Sequence, residues 1–267
     1  MTESKFFILK TISIITICFS LFFGIGCLEY KQKTATETSV VDATKQTYTL
    51  KLSNGYNTSA HYSMNEDLAD RYLKHLNSCP IPLMVRTYEE YKDQYISKVV
   101  KKYKKYNSVD SFAASNVVGQ HVGGFPVKGW PNYFIFIAAR PNPHALMATY
   151  FHEMGHYKCN TGKCLHCKSD GKKSMSEHHA ILNALESAIE YDFPEIMEAL
   201  FVRYTGWFSD YKEYKEYADA VLKMQESDLW KTVKRYAKKH KITVPTYTMS
   251  KESKKPKVIR IYFKVAA

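Results

Sequence analysis

Ala145-Leu146-Met147-Ala148-Thr149-Tyr150-Phe151-His152-Glu153-Met154-Gly155-His156 is the stretch on which the reading of this chain turns. Its apolar residues recur at helical spacing, and His152 and His156, four residues apart, fall on one helix face a single turn from each other. Two imidazoles so placed can reach one metal ion at about 2.0–2.1 Å each. Glu153, directly after the first histidine, is rotated off that face, where it reaches water beside the metal rather than the metal itself. Ala145, Ala148 and Thr149 share the stripe of the two histidines, so small residues leave room around the imidazoles. Gly155 reads as a point of close backbone approach.

A catalytic zinc site takes three protein ligands and keeps a fourth position open. On the next predicted helix, from Ser176 to about Tyr191, Ala180, Ile181, Ala184, Leu185 and Ala188 form an apolar stripe. Glu177 begins that stripe and is the carboxylate aimed inward; Glu186 and Glu190 fall with His179 and Asn183 on the polar side. Two competing readings bear on Glu177. Ser174-Met175-Ser176-Glu177 also has the spacing of a capping box, and Cys159, three residues past His156, is a rival third ligand. His178 and His179 read as helix-surface histidines, and Tyr157 as a packing residue.

Upstream, Asn132 to Ile137 is a strand ended by Pro141 and Pro143, and Gly119 to Pro131, with four glycines and two prolines, suits a hairpin or loop. Helix Asn65 to Asn77, strand Leu83 to Tyr88 and a basic helix to about Lys105 precede it. Downstream come helices Glu195 to Tyr204, Tyr211 to Gln225 and Asp228 to Lys239, then a late strand, Val258 to Val265. The fold class is therefore α+β, a small sheet, the histidine helix and a mostly helical C-terminal part. Residues 48–267 form one domain, long enough to bury a sizeable core.

The His152–His156 segment, with Thr149-Tyr150-Phe151 before it and Glu177-His178-His179-Ala180 after it, resembles the zincin metallopeptidases. More narrowly it is similar to the gluzincins, and in its short spacing to compact ImmA/IrrE-type metallopeptidases. The resemblance covers roughly Asn132 to Tyr191. It implies a zinc-dependent peptidase with His152, His156 and Glu177 as ligands and Glu153 as general base. It also implies a sheet edge, here Asn132 to Ile137, that holds an extended peptide or protein substrate.

The N-terminus adds a location. Lys5 and Lys10 flank apolar Thr11 to Gly26, which runs into Cys27. Residues 1–27 read as a signal peptide or membrane anchor, resembling a lipoprotein signal with Cys27 as the lipidated residue. Residues 28–47, poor in apolar side chains, form a flexible tether. The domain is thus expected outside the cytoplasm and attached to a membrane by the anchor or lipid. The net charge of +12 sits in lysine runs such as Lys231 to Lys241, without a nucleic-acid motif, so a solvated face is expected and nucleic acid is not. Cys159, Cys164 and Cys167, with His166 among them, form either a disulfide or a second metal site; export favours the disulfide, with Cys79 pairing the cysteine left over. Two other classes stay open: a zinc-stabilised, non-catalytic envelope lipoprotein or binding protein, and a lipoprotein whose histidine motif is incidental and whose basic surface binds membrane or anionic polymer.

Overall fold

In the computed structural model, the described residues are 46–49, 61–103, 119–123, 125, 127–139, 142–169, 177–209, 215–249 and 256–261. The signal or anchor at residues 1–27, Cys27 and most of the tether lie outside them. Among the described residues no helix is long and apolar enough to cross a membrane.

The chain is α+β and mostly helical. A first hairpin pairs β1 (Gln46–Thr49) with β2 (His61–Met64) in antiparallel fashion. Helix α1 (Glu66–Asn77) follows, its first turn capped by the Asn65 side chain, which accepts from the Leu68 N–H at 2.8 Å. Then come β3 (Leu83–Arg86), α2 (Tyr88–Tyr91) and α3 (Ser97–Lys102). Between α2 and α3 the backbone widens into a π-helical turn, Lys92–Ile96, within the single basic helix that the sequence pattern reads there.

The central sheet is mixed, in the order β3, β5 (Tyr133–Ala138), β4 (Gly119–Gly123). β3 runs parallel to β5, and β4 antiparallel to it. One sequence expectation is corrected here. The strand at Asn132 to Ile137 lies at the centre of this sheet, not at its edge, and the edge on the other side from β3 is β4, inside the segment read as hairpin or loop. The continuous apolar run of β5 explains its place, because both of its faces are covered. Ile135 and Ile137 enter the main core, whereas Phe134 and Phe136 enter a second, aromatic cluster with Tyr91 and Tyr95. The Tyr91 ring stacks on Phe136 with centroids 3.8 Å apart. Its hydroxyl donates to Gln120 Oε1 at 2.8 Å, giving the polar end of a buried ring a partner. Part of the tyrosine content is thus structural mortar behind the sheet.

On the other face runs α4 (Pro143–Asn160), started by Asn142, whose side chain accepts from the N–H groups of His144 and Ala145, and by Pro143 in the first turn. It is buried on nearly all sides, as expected of a helix at the centre of a core rather than on a surface. After the short α5 (Leu165–Ser169), α4 packs against α6 (Glu177–Glu190) and α7 (Pro194–Ser209). Helices α8 (Lys215–Met224) and α9 (Asp228–Lys239) complete the helical part. α9 turns Trp230, Val233, Tyr236 and Ala237 inward and its lysines outward, so this lysine run is a solvated helix face. A C-terminal hairpin pairs β6 (Val244–Met249) with β7 (Pro256–Ile261); the sequence reading contains only the second of these, displaced by a few residues.

Candidate functional site

The packing of α4 on α6 rests on two small residues. A Cβ placed on Gly155 would lie 2.7 Å from Ala180 Cα and 2.9 Å from the Ala180 carbonyl oxygen. No side chain fits there, so the glycine accepts a poorer helix propensity in exchange for direct backbone contact. That contact brings Glu177, three residues before Ala180, over the histidines of α4. The Glu177 carboxylate lies between them, with Oε2 2.9 Å from His152 Nε2 and Oε1 3.2 Å from His156 Nε2. The carboxylate that begins the apolar stripe is thus the one placed against the two imidazoles. Ser174 lies outside the described residues, and Cys159 points to a different cluster, described below.

The donor set fits a metal ion. At about 2.0–2.1 Å per bond, two donors of a tetrahedral set stand about 3.3 Å apart, and the two observed separations are close to that value. Metal-capable atoms of His152, Glu153 and His156 also lie within 4.8 Å of one another, all in buried residues. Without a metal, the three groups are coupled through the Glu177 carboxylate. Burial, helped by the charge of Arg203, pushes His152 down to about 3, so its ring is neutral and keeps a lone pair for a metal. Burial alone would raise Glu177, but the charges and hydrogen bonds of the two imidazoles outweigh it and hold the carboxyl well below its usual range. His156 is likewise opposed by burial, yet its hydrogen bond to Glu177 and the nearby Glu153 carry it above the ordinary imidazole value.

Glu153 lies beside this triad, with a carboxylate oxygen within 4.8 Å of a ring nitrogen of each histidine. It is only 3 % exposed, and burial raises its carboxyl to about 7 against the lowering effects of His156, Arg203 and a hydrogen bond from the His121 backbone N–H. A carboxyl near neutrality is matched to moving protons at neutral pH. His121 belongs to the edge strand β4, which runs directly along α4. A Cβ on Gly119, in the same strand, would lie 2.5 Å from Thr149 Cγ2 and 2.6 Å from Glu153 Oε1. The small-residue stripe of α4 is therefore not empty space: it admits β4 to the side of the general-base candidate.

Arg203 is the main residue that the sequence reading missed. Its Nη1 donates to Thr149 Oγ1 at 3.1 Å, and its charge is felt at His152, Glu153 and His156. A signal was available. Arg203 is three residues from Leu200 and seven from Ile196, hence on the buried stripe of α7, whereas Val202 faces outward at 73 % exposure. His121 carried no such signal, since nothing in its neighbourhood marks it as part of a strand edge.

The second cluster lies at the far end of α4. Cys159, Cys164 and Cys167 are buried together, and among the described residues no disulfide joins them. The expected pairing with Cys79 is absent too; the Cys79 thiol points to Met154 Sδ at 3.9 Å. The histidine beside the thiols is His179, read from the sequence as a surface residue but only 2 % exposed, with Nδ1 3.1 Å from Cys167 Sγ. His166, the histidine inside the cysteine segment, instead pairs with Glu186 at 3.0 Å. His178 sends Nδ1 toward the Ala220 carbonyl, 3.2 Å away, and Tyr157 packs edge-on against His121. No family model matches the chain, and neither a curated protein nor a solved structure matches it.

Proposed function

We propose that this protein is a zinc-dependent metallopeptidase of the zincin type, held at the outer side of a membrane by its N-terminal segment. The observation that carries the reading is the meeting of the Glu177 carboxylate with the Nε2 atoms of His152 and His156, with Glu153 beside them. A zinc ion held by those three side chains would acidify water toward a pKa of about 7 and polarise a carbonyl.

The rest of the chemistry belongs to the chain's own groups. Glu153 accepts the proton of the attacking water and returns it to the leaving amine. The His121 N–H fixes the Glu153 carboxylate, and Arg203 supplies positive charge for the oxygen that becomes negative as water adds to the carbonyl. β4, as the sheet edge beside Glu153, is the strand along which an extended peptide would align. The location outside the cytoplasm rests on the sequence of residues 1–27 alone.

The test uses the full-length protein in detergent with a denatured protein substrate. Wild type should cleave and carry zinc in the Glu177 site, and Glu153→Gln should keep that zinc while cleavage disappears. Retained zinc without cleavage in the wild type would favour the non-catalytic envelope protein instead. Absence of zinc from the His152–His156–Glu177 site would defeat both.

A further inference from the structure

We infer that Cys159, Cys164, Cys167 and His179 form a second metal centre, a closed four-ligand zinc site that does not depend on the peptidase reading. One donor atom from each of the four lies within 4.8 Å of every other, and all four residues are buried. For tetrahedral zinc with S ligands at about 2.3 Å and N at about 2.0–2.1 Å, donors stand about 3.6–3.8 Å apart. A cluster bounded at 4.8 Å needs only a small contraction to reach that geometry.

Donor chemistry selects the ion. Three sulfurs and one imidazole form a soft set of the kind that takes zinc, and four protein ligands leave no position for water or substrate. The loop is shaped for it: Cys164 and Cys167 are separated by two residues, and the Cys167 backbone N–H points at Cys164 Sγ from 3.4 Å. The Asn183 side-chain amide donates to the same sulfur at 3.2 Å, while its other bond, to the His179 carbonyl at 2.7 Å, holds it in place. Two N–H groups aimed at one sulfur suit a thiolate. With three thiolates, one neutral imidazole and a dication the centre carries one net negative charge, which these donors partly offset. The three protons leave with metal binding.

A disulfide would use two of the four residues and strand a thiol and an imidazole in the core. The metal uses all four. Its position has a consequence: Cys159 is three residues past His156, and His179 is two residues past Glu177. The centre therefore ties together both ends of the segment between the second and third ligands of the first site.

The full-length protein, purified and loaded with cobalt(II) alone, tests the assignment. A thiolate-to-cobalt charge-transfer band in the near ultraviolet is expected, with metal analysis giving two ions per chain. His156→Ala should lose one ion and keep the band; Cys164→Ser and His179→Ala should lose or strongly weaken it. Should those variants fold poorly, alkylation of unfolded wild type without reductant still decides, because a zinc centre leaves all three thiols available once the metal is chelated. An absent charge-transfer band, or a cysteine pair that alkylates only after reduction, overturns the proposal. Loss of the first ion alone would leave this second centre standing.

Discussion

The two faces of the Glu177–Glu190 helix meet opposite chemistry. One face sets a carboxylate against two imidazoles, with a raised Glu153 carboxyl alongside. The other sets His179 and Asn183 against three sulfurs. The first is a three-donor nitrogen and oxygen set with a carboxyl beside it; the second is a softer, four-donor set with hydrogen bonds to sulfur and no carboxyl among its donors. On the readings proposed above, zinc would serve both in different roles, open and reactive in the first and closed and structural in the second. The difference teaches that a ligand list alone does not assign a role. What stands next to the ligands does.

The sharpest way to break this comparison is to remove the acid–base group. Glu153→Gln should lower the hydrolysis rate by about 10²–10⁴-fold with metal content unchanged at both centres, as measured by steady-state cleavage and metal analysis. A variant that still hydrolyses at the wild-type rate would mean that Glu153 has no role the sulfur cluster lacks.

Next in size is Gly119→Ala. The new methyl would press on Thr149 Cγ2 and Glu153 Oε1 and move the carboxylate relative to the triad. Displacing a reacting group by about 1 Å costs on the order of 10² in rate, so kcat should fall by about that factor while the cobalt spectrum stays as in wild type. Unchanged kcat would show that β4 does not set the Glu153 position.

Gly155→Ala probes the contact that both centres share. A methyl would gain about 1 kcal/mol of helix propensity, but it would have to separate α4 from the Ala180 backbone, and such overpacking costs about 1–3 kcal/mol. A net loss of stability is expected, with a lower Tm. Because the two helices are forced apart near Glu177, metal affinity should fall at the first centre more than at the second. A variant more stable than wild type would show that the helices have slack at this point.

The sequence made one of these centres legible and half-hid the other. His152, Glu153 and His156 lie about one helical turn apart, and Glu177 stood out as the carboxylate that begins an apolar stripe, even though capping-box spacing offered it a second role. The sulfur centre draws His179 from a different element, and its side of α6 looks polar: His179, Asn183 and Glu186 give the pattern of a wetted face. They are instead turned to the cysteine segment, where polar side chains are needed as donors and ligands. Periodicity reports which residues share a face, not what covers that face. The same limit explains β4. Gly119 to Pro131 reads as a hairpin or loop without a placed strand, because its glycines carry little strand propensity, yet the absence of side chains is what lets β4 lie against α4. The apolar run of β5 signalled burial correctly; the wrong place in the sheet came from the family resemblance, whereas an apolar run on both faces suits a central strand.

The smallest expected effect separates the two histidines that compete for the sulfur centre. His166 lies between Cys164 and Cys167 in the sequence, and its ring is roughly parallel to that of His179 with centroids 6.2 Å apart. Its Nε2, however, is 3.0 Å from the Glu186 carboxylate, in a pair whose acid is 41 % exposed. Exposed pairs of this kind contribute less than about 1 kcal/mol. His166→Ala should therefore change Tm little and leave both the metal stoichiometry and the thiolate-to-cobalt band intact, where His179→Ala loses the band. The reverse result, with the band lost in His166→Ala and kept in His179→Ala, would give the fourth ligand to the cysteine loop. α6 would then supply a ligand only to the Glu177 site, and its tie to the sulfur centre would be the Asn183 hydrogen bond to Cys164 Sγ.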